Sequence, residues 1–139
     1  MFVVKSFDDS KRKHGTWINY NELDPSEGVF KIASISSFAF QNFYSKLQAQ
    51  ATGGRAKKEL DAETQSKILC QALAKHVLLD WKNVSFTEDG AETAYTAELA
   101  YEALLSNPEL LSFVQEKAID ISNFKADKQE EELKNSVTI

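Results

Sequence analysis

The spacing of apolar positions changes character near residue 36. Before it, Phe2 to Phe7, Thr16 to Tyr20 and Val29 to Ile35 are short runs rich in β-branched and aromatic residues. Lys11-Arg12-Lys13-His14-Gly15 separates the first two, and Asp24-Pro25-Ser26-Glu27-Gly28 precedes the third. Branched and ring side chains pack well on a pleated surface, while Gly, Pro and Asp set turns, so these runs predict a small antiparallel meander. From Ser36 the spacing turns helical. Phe40, Phe43, Tyr44 and Leu47 fall at three- and four-residue steps, which places them on one helix face, and Gly53-Gly54 stops the segment. Asp61 stands as an N-cap before a stripe of Ile68, Leu69, Ala72, Leu73, His76 and Val77, predicting a long helix that ends near Asp80-Trp81.

Glu88-Asp89-Gly90, between Val84-Ser85-Phe86 and Ala94-Tyr95, predicts a turn, with a minor hairpin as one form of it. Thr96 caps a short helix through Leu104-Leu105, and Asn107-Pro108 supplies an N-cap and a first-turn proline for another carrying Leu110, Leu111, Val114, Ala118 and Ile121. The fold class expected is therefore α+β, predominantly α-helical with about four helices and a small N-terminal antiparallel β-meander. One globular domain is expected over residues 1–122, β-rich over 1–35 and helical over 36–122, followed by a charged C-terminal tail over 123–139. From Lys125 to Lys134 that tail has helix formers but almost no apolar face.

Composition narrows the functional classes. With 139 residues, 42% of them hydrophobic, the chain is long enough to bury the core of one domain. A formal charge of -5 gives no overall pull toward nucleic acid or anionic membranes. No window approaches 18 consecutive apolar residues, and Met1 to Asp9 is too short and too quickly acidic for a signal peptide. A single cysteine makes neither an internal disulfide nor a cysteine-based zinc cluster, so a reducing cytoplasm is the expected setting. Charge is also unevenly placed. Residues 1–58 hold nine basic and five acidic side chains (+4), whereas residues 59–139 hold seven basic and 16 acidic ones (-9). That division favours head-to-tail self-association or contact between basic and acidic surfaces.

Reactive chemistry has few places to reside. The histidines are His14, in a charged segment, and His76, on the apolar stripe; Cys70 lies six helical residues before His76, so the two point about 120° apart around the axis and form no local dyad. Zinc spacing, an EF-hand loop, a P-loop and a Gly-x-Ser-x-Gly elbow are all missing. No catalytic residue, cofactor or metal is expected. Lys11-Arg12-Lys13 and Arg55-Ala56-Lys57-Lys58 are basic clusters, both in predicted loops, without the interleaved aromatics of a single-strand binder. Rigid aromatics dominate interface energetics, so Trp81, Tyr101, Phe113 and Phe124, with Arg55, are the candidate partner-binding residues among side chains that are otherwise core formers.

The run Lys75-His76-Val77-Leu78-Leu79-Asp80-Trp81-Lys82-Asn83-Val84, then Glu88-Asp89-Gly90, Tyr95-Thr96-Ala97-Glu98-Leu99-Ala100, Leu104-Leu105-Ser106-Asn107-Pro108-Glu109-Leu110-Leu111 and Asn123-Phe124, resembles the tail assembly chaperones of long, non-contractile-tailed bacteriophages (siphophages). The likeness covers roughly residues 60–125, and the Gly15-Thr16-Trp17 strand more loosely. It departs at Asn83, where a glycine is common after Asp-Trp-x, and at Ala94, where a proline often precedes the aromatic. The resemblance implies a non-enzymatic protein of the host cell cytoplasm that binds the tape measure protein, keeps it soluble, promotes tail tube assembly and is absent from the mature virion. It also implies contact with the tail tube protein through a longer, frameshifted product. Partners expected beyond these are copies of the chain itself, but neither nucleic acid nor membrane. The competing reading is a structural subunit of a phage particle, a head-tail connector or tail tube end protein, which purified virions would contain.

Overall fold

The computed structural model describes residues 1, 2, 4, 9–53, 60–120 and 124. In chain order the elements are α1 (Asp9–His14), β1 (Thr16–Asn21), β2 (Asp24–Ile32), α2 (Phe38–Ala51), α3 (Ala62–His76), β3 (Leu78–Lys82), α4 (Ala97–Ser106) and α5 (Pro108–Ile119). The class is α+β, with, among the described residues, four helices of seven or more residues and one antiparallel sheet in the order β1-β2-β3. The expected strand Phe2 to Phe7 lies largely outside the described residues, as do the expected loop holding Arg55 and the expected tail after Phe124.

Three local expectations change. Lys11 to His14 is not a loop but the last turn of α1, where the helix dipole favours cations; Gly15, at φ +81°, ends the helix by donating its N–H to Lys11 O (2.9 Å). Asp24 to Gly28 is not the turn. Glu22-Leu23 form the turn, with Asn21 Oδ1 accepting from Leu23 N–H (3.0 Å), and Asp24 to Gly28 becomes the start of β2, with a bulge between Asn19 and Asn21. The third change is the largest: α3 stops at His76, and the residues that continue its apolar spacing form β3. Val77 leaves helical geometry (φ -120°), its carbonyl accepts from Ala33 N–H (2.8 Å), and Lys31 and Phe30 of β2 pair with Asp80 and Trp81. Pairing with β2 satisfies the backbone of β3 while still burying Leu78 and Trp81, an outcome helical spacing does not anticipate.

Several start and stop signals act where expected. Asp61 and Thr96 accept from the N–H of Thr64 (2.7 Å) and Leu99 (3.1 Å), and Gly53, at φ +63°, follows the C-cap of α2. Asn107 occupies the N-cap position before Pro108 but spends its amide on closing α4, donating Nδ2–H to Ala103 O (3.0 Å). The inward face of the sheet and the four longer helices enclose one core, in which Ile32, Cys70, Leu73, Val77, Leu78, Leu104 and Val114 are fully buried. Each large apolar side chain taken from water contributes about 1.5–3 kcal/mol before entropy is counted.

Candidate functional site

Two of the segments carrying the phage resemblance meet at Trp81. Its ring packs edge-on against Tyr95 (5.2 Å between centroids) and tilted against Phe86 (5.8 Å), and its Nε1–H donates to Thr93 O (2.7 Å). The Tyr95 hydroxyl donates to Leu78 O at 2.6 Å and approaches Ala74 O at 3.1 Å, tying the end of α3 and the start of β3 to the residues before α4. Burial, aided by the Asp80 carboxylate, pushes the Tyr95 phenol up to about 12. Glu88-Asp89-Gly90 is a turn, closed by Gly90 N–H to Thr87 O (3.3 Å) and by the Thr87 hydroxyl on Asp89; no strand forms on either side of it. Asn83 adopts φ +59°, the left-handed region that favours glycine; asparagine tolerates it, and here the side chain donates to Pro25 O (3.1 Å).

Two open surfaces flank this hub. One is a groove of about 760 Å³ between α2, α3 and α4, lined by Phe43, Lys75, Glu98, Tyr101 and Glu102 among others. Lys75 Nζ sits 4.6 Å over the Phe43 ring, whose other neighbour is His76, edge-on at 5.1 Å. Burial, and secondarily Lys75, lower the His76 pKa below the ordinary imidazole value. The other surface is a pair of adjoining depressions of about 590 and 480 Å³ that share Tyr20 and Glu109. Phe30 and Phe113 floor them, Tyr20 packs on Phe113 (5.0 Å), and Glu27 and Glu116 stand at their rims.

The residues singled out from sequence separate accordingly. Tyr101 lines the first groove and Phe113 the second, both half-buried. Trp81 (4% exposed) and Phe124 (2%) belong to the core instead, because Trp81 closes β3 over the helices and its one donor is already used. Arg55 lies outside the described residues. Tyr20 and Phe86 were not singled out; their exposure, 43% and 44%, comes from sitting where β1 and the loop after β3 run past α5, a proximity that local spacing does not reveal. Cys70 is fully buried, and desolvation raises its thiol pKa despite a contact with Ser66. Among the described residues no cluster of three His, Cys, Asp or Glu side chains is arranged to hold a metal, and no helix is long and apolar enough to cross a membrane.

Comparison with known proteins returns no match among curated proteins and none among solved structures. A family model does match: that of the YdaY prophage protein, over residues 35–135. The matched span runs from the residues before α2 through α5, and so includes the Trp81 hub and the helical walls of both open surfaces. Because the match extends over more than half of the chain, this phage-derived protein belongs to the YdaY prophage protein family.

Proposed function

We propose that this prophage protein is a non-enzymatic tail assembly chaperone, which binds the tape measure protein in the host cytoplasm, keeps it soluble and promotes tail tube assembly before leaving the finished tail. The observation that carries the reading is the Trp81 hub. Leu78 to Trp81 and Tyr95, in separate pieces of the resemblance, form one packed unit, and Asn107-Pro108, a third piece, lines the depressions beside it. Such grooves suit reversible contact with the apolar face of an amphipathic helix. The packing of His76 on a ring and the burial of Cys70 in the core are in keeping with a non-enzymatic role. A client many times longer than the chain requires several copies to cover it.

Co-expression with the tape measure protein of the same genome, followed by affinity capture and light scattering, tests the proposal. The expected result is a soluble complex with several copies of this chain per client. An insoluble client beside a free, monodisperse protein refutes it. Recovery of the protein in purified virions would instead favour the structural-subunit reading.

A further inference from the structure

We infer that the depressions around Tyr20 are the surface on which a lysine- or arginine-bearing helical segment of the client docks; the identity of the client rests on the chaperone reading above. Two kinds of group meet there, and both select the same partner. The faces of aromatic rings carry a negative quadrupole that attracts ammonium and guanidinium groups. Tyr20 and Phe86 leave 43% and 44% of their surface to solvent over a floor of Phe30 and Phe113. Carboxylates supply the second group, with Glu27, Glu109 and Glu116 at the rim and no cationic side chain in the lining.

The surrounding charge has the same sign: residues 84–120 carry eight acidic side chains and one basic one, Lys117. That lysine reaches the Phe113 ring at 5.8 Å, and the same pairing recurs with Lys82 over Trp17 (4.4 Å). The Tyr101 groove is the poorer site for a cation, because Lys75 is part of its lining and sits 4.6 Å over its Phe43 ring, whereas Lys117 stands outside the lining of the depressions and farther from its ring. An anionic partner would meet the carboxylates and the negative ring faces together and be repelled by both. A cationic side chain would lay its aliphatic stem on the rings and its charge at the rim.

The probe is a labelled amphipathic peptide of about 15 residues, long enough to be helical when bound, with lysines on one face and leucines on the other; its counterpart has glutamate at every lysine. Binding to the full chain is read by fluorescence anisotropy. The lysine peptide is expected to bind and the glutamate peptide to fail. Raising salt from about 0.05 to about 0.5 M should weaken binding, as screening predicts. Glu109→Lys and Glu116→Lys should each weaken it about five- to tenfold, and Tyr20→Ala, which removes a ring and no charge, should weaken it as well. Glu63→Lys makes the same charge change on α3, away from the depressions, and should leave binding within about twofold.

Circular dichroism of each variant confirms that it is folded, and Glu109→Gln repeats the test without a reversed charge. Equal loss in Glu63→Lys, or no loss in the Glu109 and Glu116 variants, overturns the assignment. So does a result in which those variants abolish only self-association, since the occupant is then a second copy. A tape measure complex indifferent to Glu109→Lys removes the groove assignment and leaves the chaperone reading standing. Peptide binding with the expected pattern but no tape measure complex does the reverse.

Discussion

Replacing Tyr95 by phenylalanine removes one oxygen from the Trp81 hub and little else, which makes it a clean perturbation. The ring that packs on Trp81 at 5.2 Å remains, whereas the hydroxyl bond to Leu78 O and the approach to Ala74 O are lost. A neutral hydrogen bond contributes about 0.5–1.5 kcal/mol net, and a carbonyl left poorly satisfied adds to the loss, so about 1–2 kcal/mol of destabilisation is expected at pH 7. The pH dependence gives a second, independent reading. Burial and Asp80 push the Tyr95 phenol from 10.0 up to about 12, so the folded state favours the neutral form. The stability this contributes is fully present below pH 10 and is lost as pH rises toward 12. A shift of that size corresponds to at most about 2.7 kcal/mol, and solvent screening of a half-exposed group reduces it to about 1–2 kcal/mol. The variant has no phenol at this position. The gap between wild type and Tyr95→Phe should therefore narrow between pH 10 and pH 12. Urea unfolding followed by tryptophan fluorescence, run on both proteins across that range, measures the gap directly. A difference under about 0.5 kcal/mol at pH 7, or a gap that stays constant to pH 11, refutes the assigned role of the hydroxyl.

Two further substitutable or modifiable positions have definite expectations. Asn83→Gly should be close to neutral, because glycine adopts φ +59° freely and recovers in strain what it loses in the bond to Pro25, whereas Asn83→Ala keeps the strain, loses the bond and should cost about 1–2 kcal/mol by thermal or urea unfolding. Cys70, fully buried with a raised thiol pKa, should react with a thiol reagent only as fast as the protein opens; rapid labelling of the native protein would place it outside the core described above.

Local chemistry made much of this fold legible in advance. Asp61 and Thr96 start helices because a short oxygen-bearing side chain reaches the free N–H groups of the first turn, and Glu88-Asp89-Gly90 turns because Gly90 accepts φ +80°. Asn107-Pro108 separates α4 from α5 for a reason as local, the proline's missing donor and fixed φ. The helical stripe on α3 likewise follows from spacing, as does the burial of Ile68, Ala72 and Leu73.

What sequence could not decide depends on partners far away in the chain. Val77-Leu78-Leu79 continues the helical spacing of α3, yet Leu78–Lys82 is a strand because β2, nearly 50 residues earlier, offers it a backbone edge and a buried face. The same distant pairing moves Trp81 from the end of a helix into the core and removes it from the exposed candidates. It also brings Tyr20, Phe86 and Glu109, three residues with no sequence relation, to one surface. The amino-acid sequence by itself determined the caps of α3 and α4, the turn at Glu88-Asp89-Gly90, the α+β class and the acidic balance of residues 59–139, all properties of neighbours or of sums. Only the tertiary structure decided which rings are spent inside the core and which stand among carboxylates, since that depends on which faces the folded chain leaves uncovered.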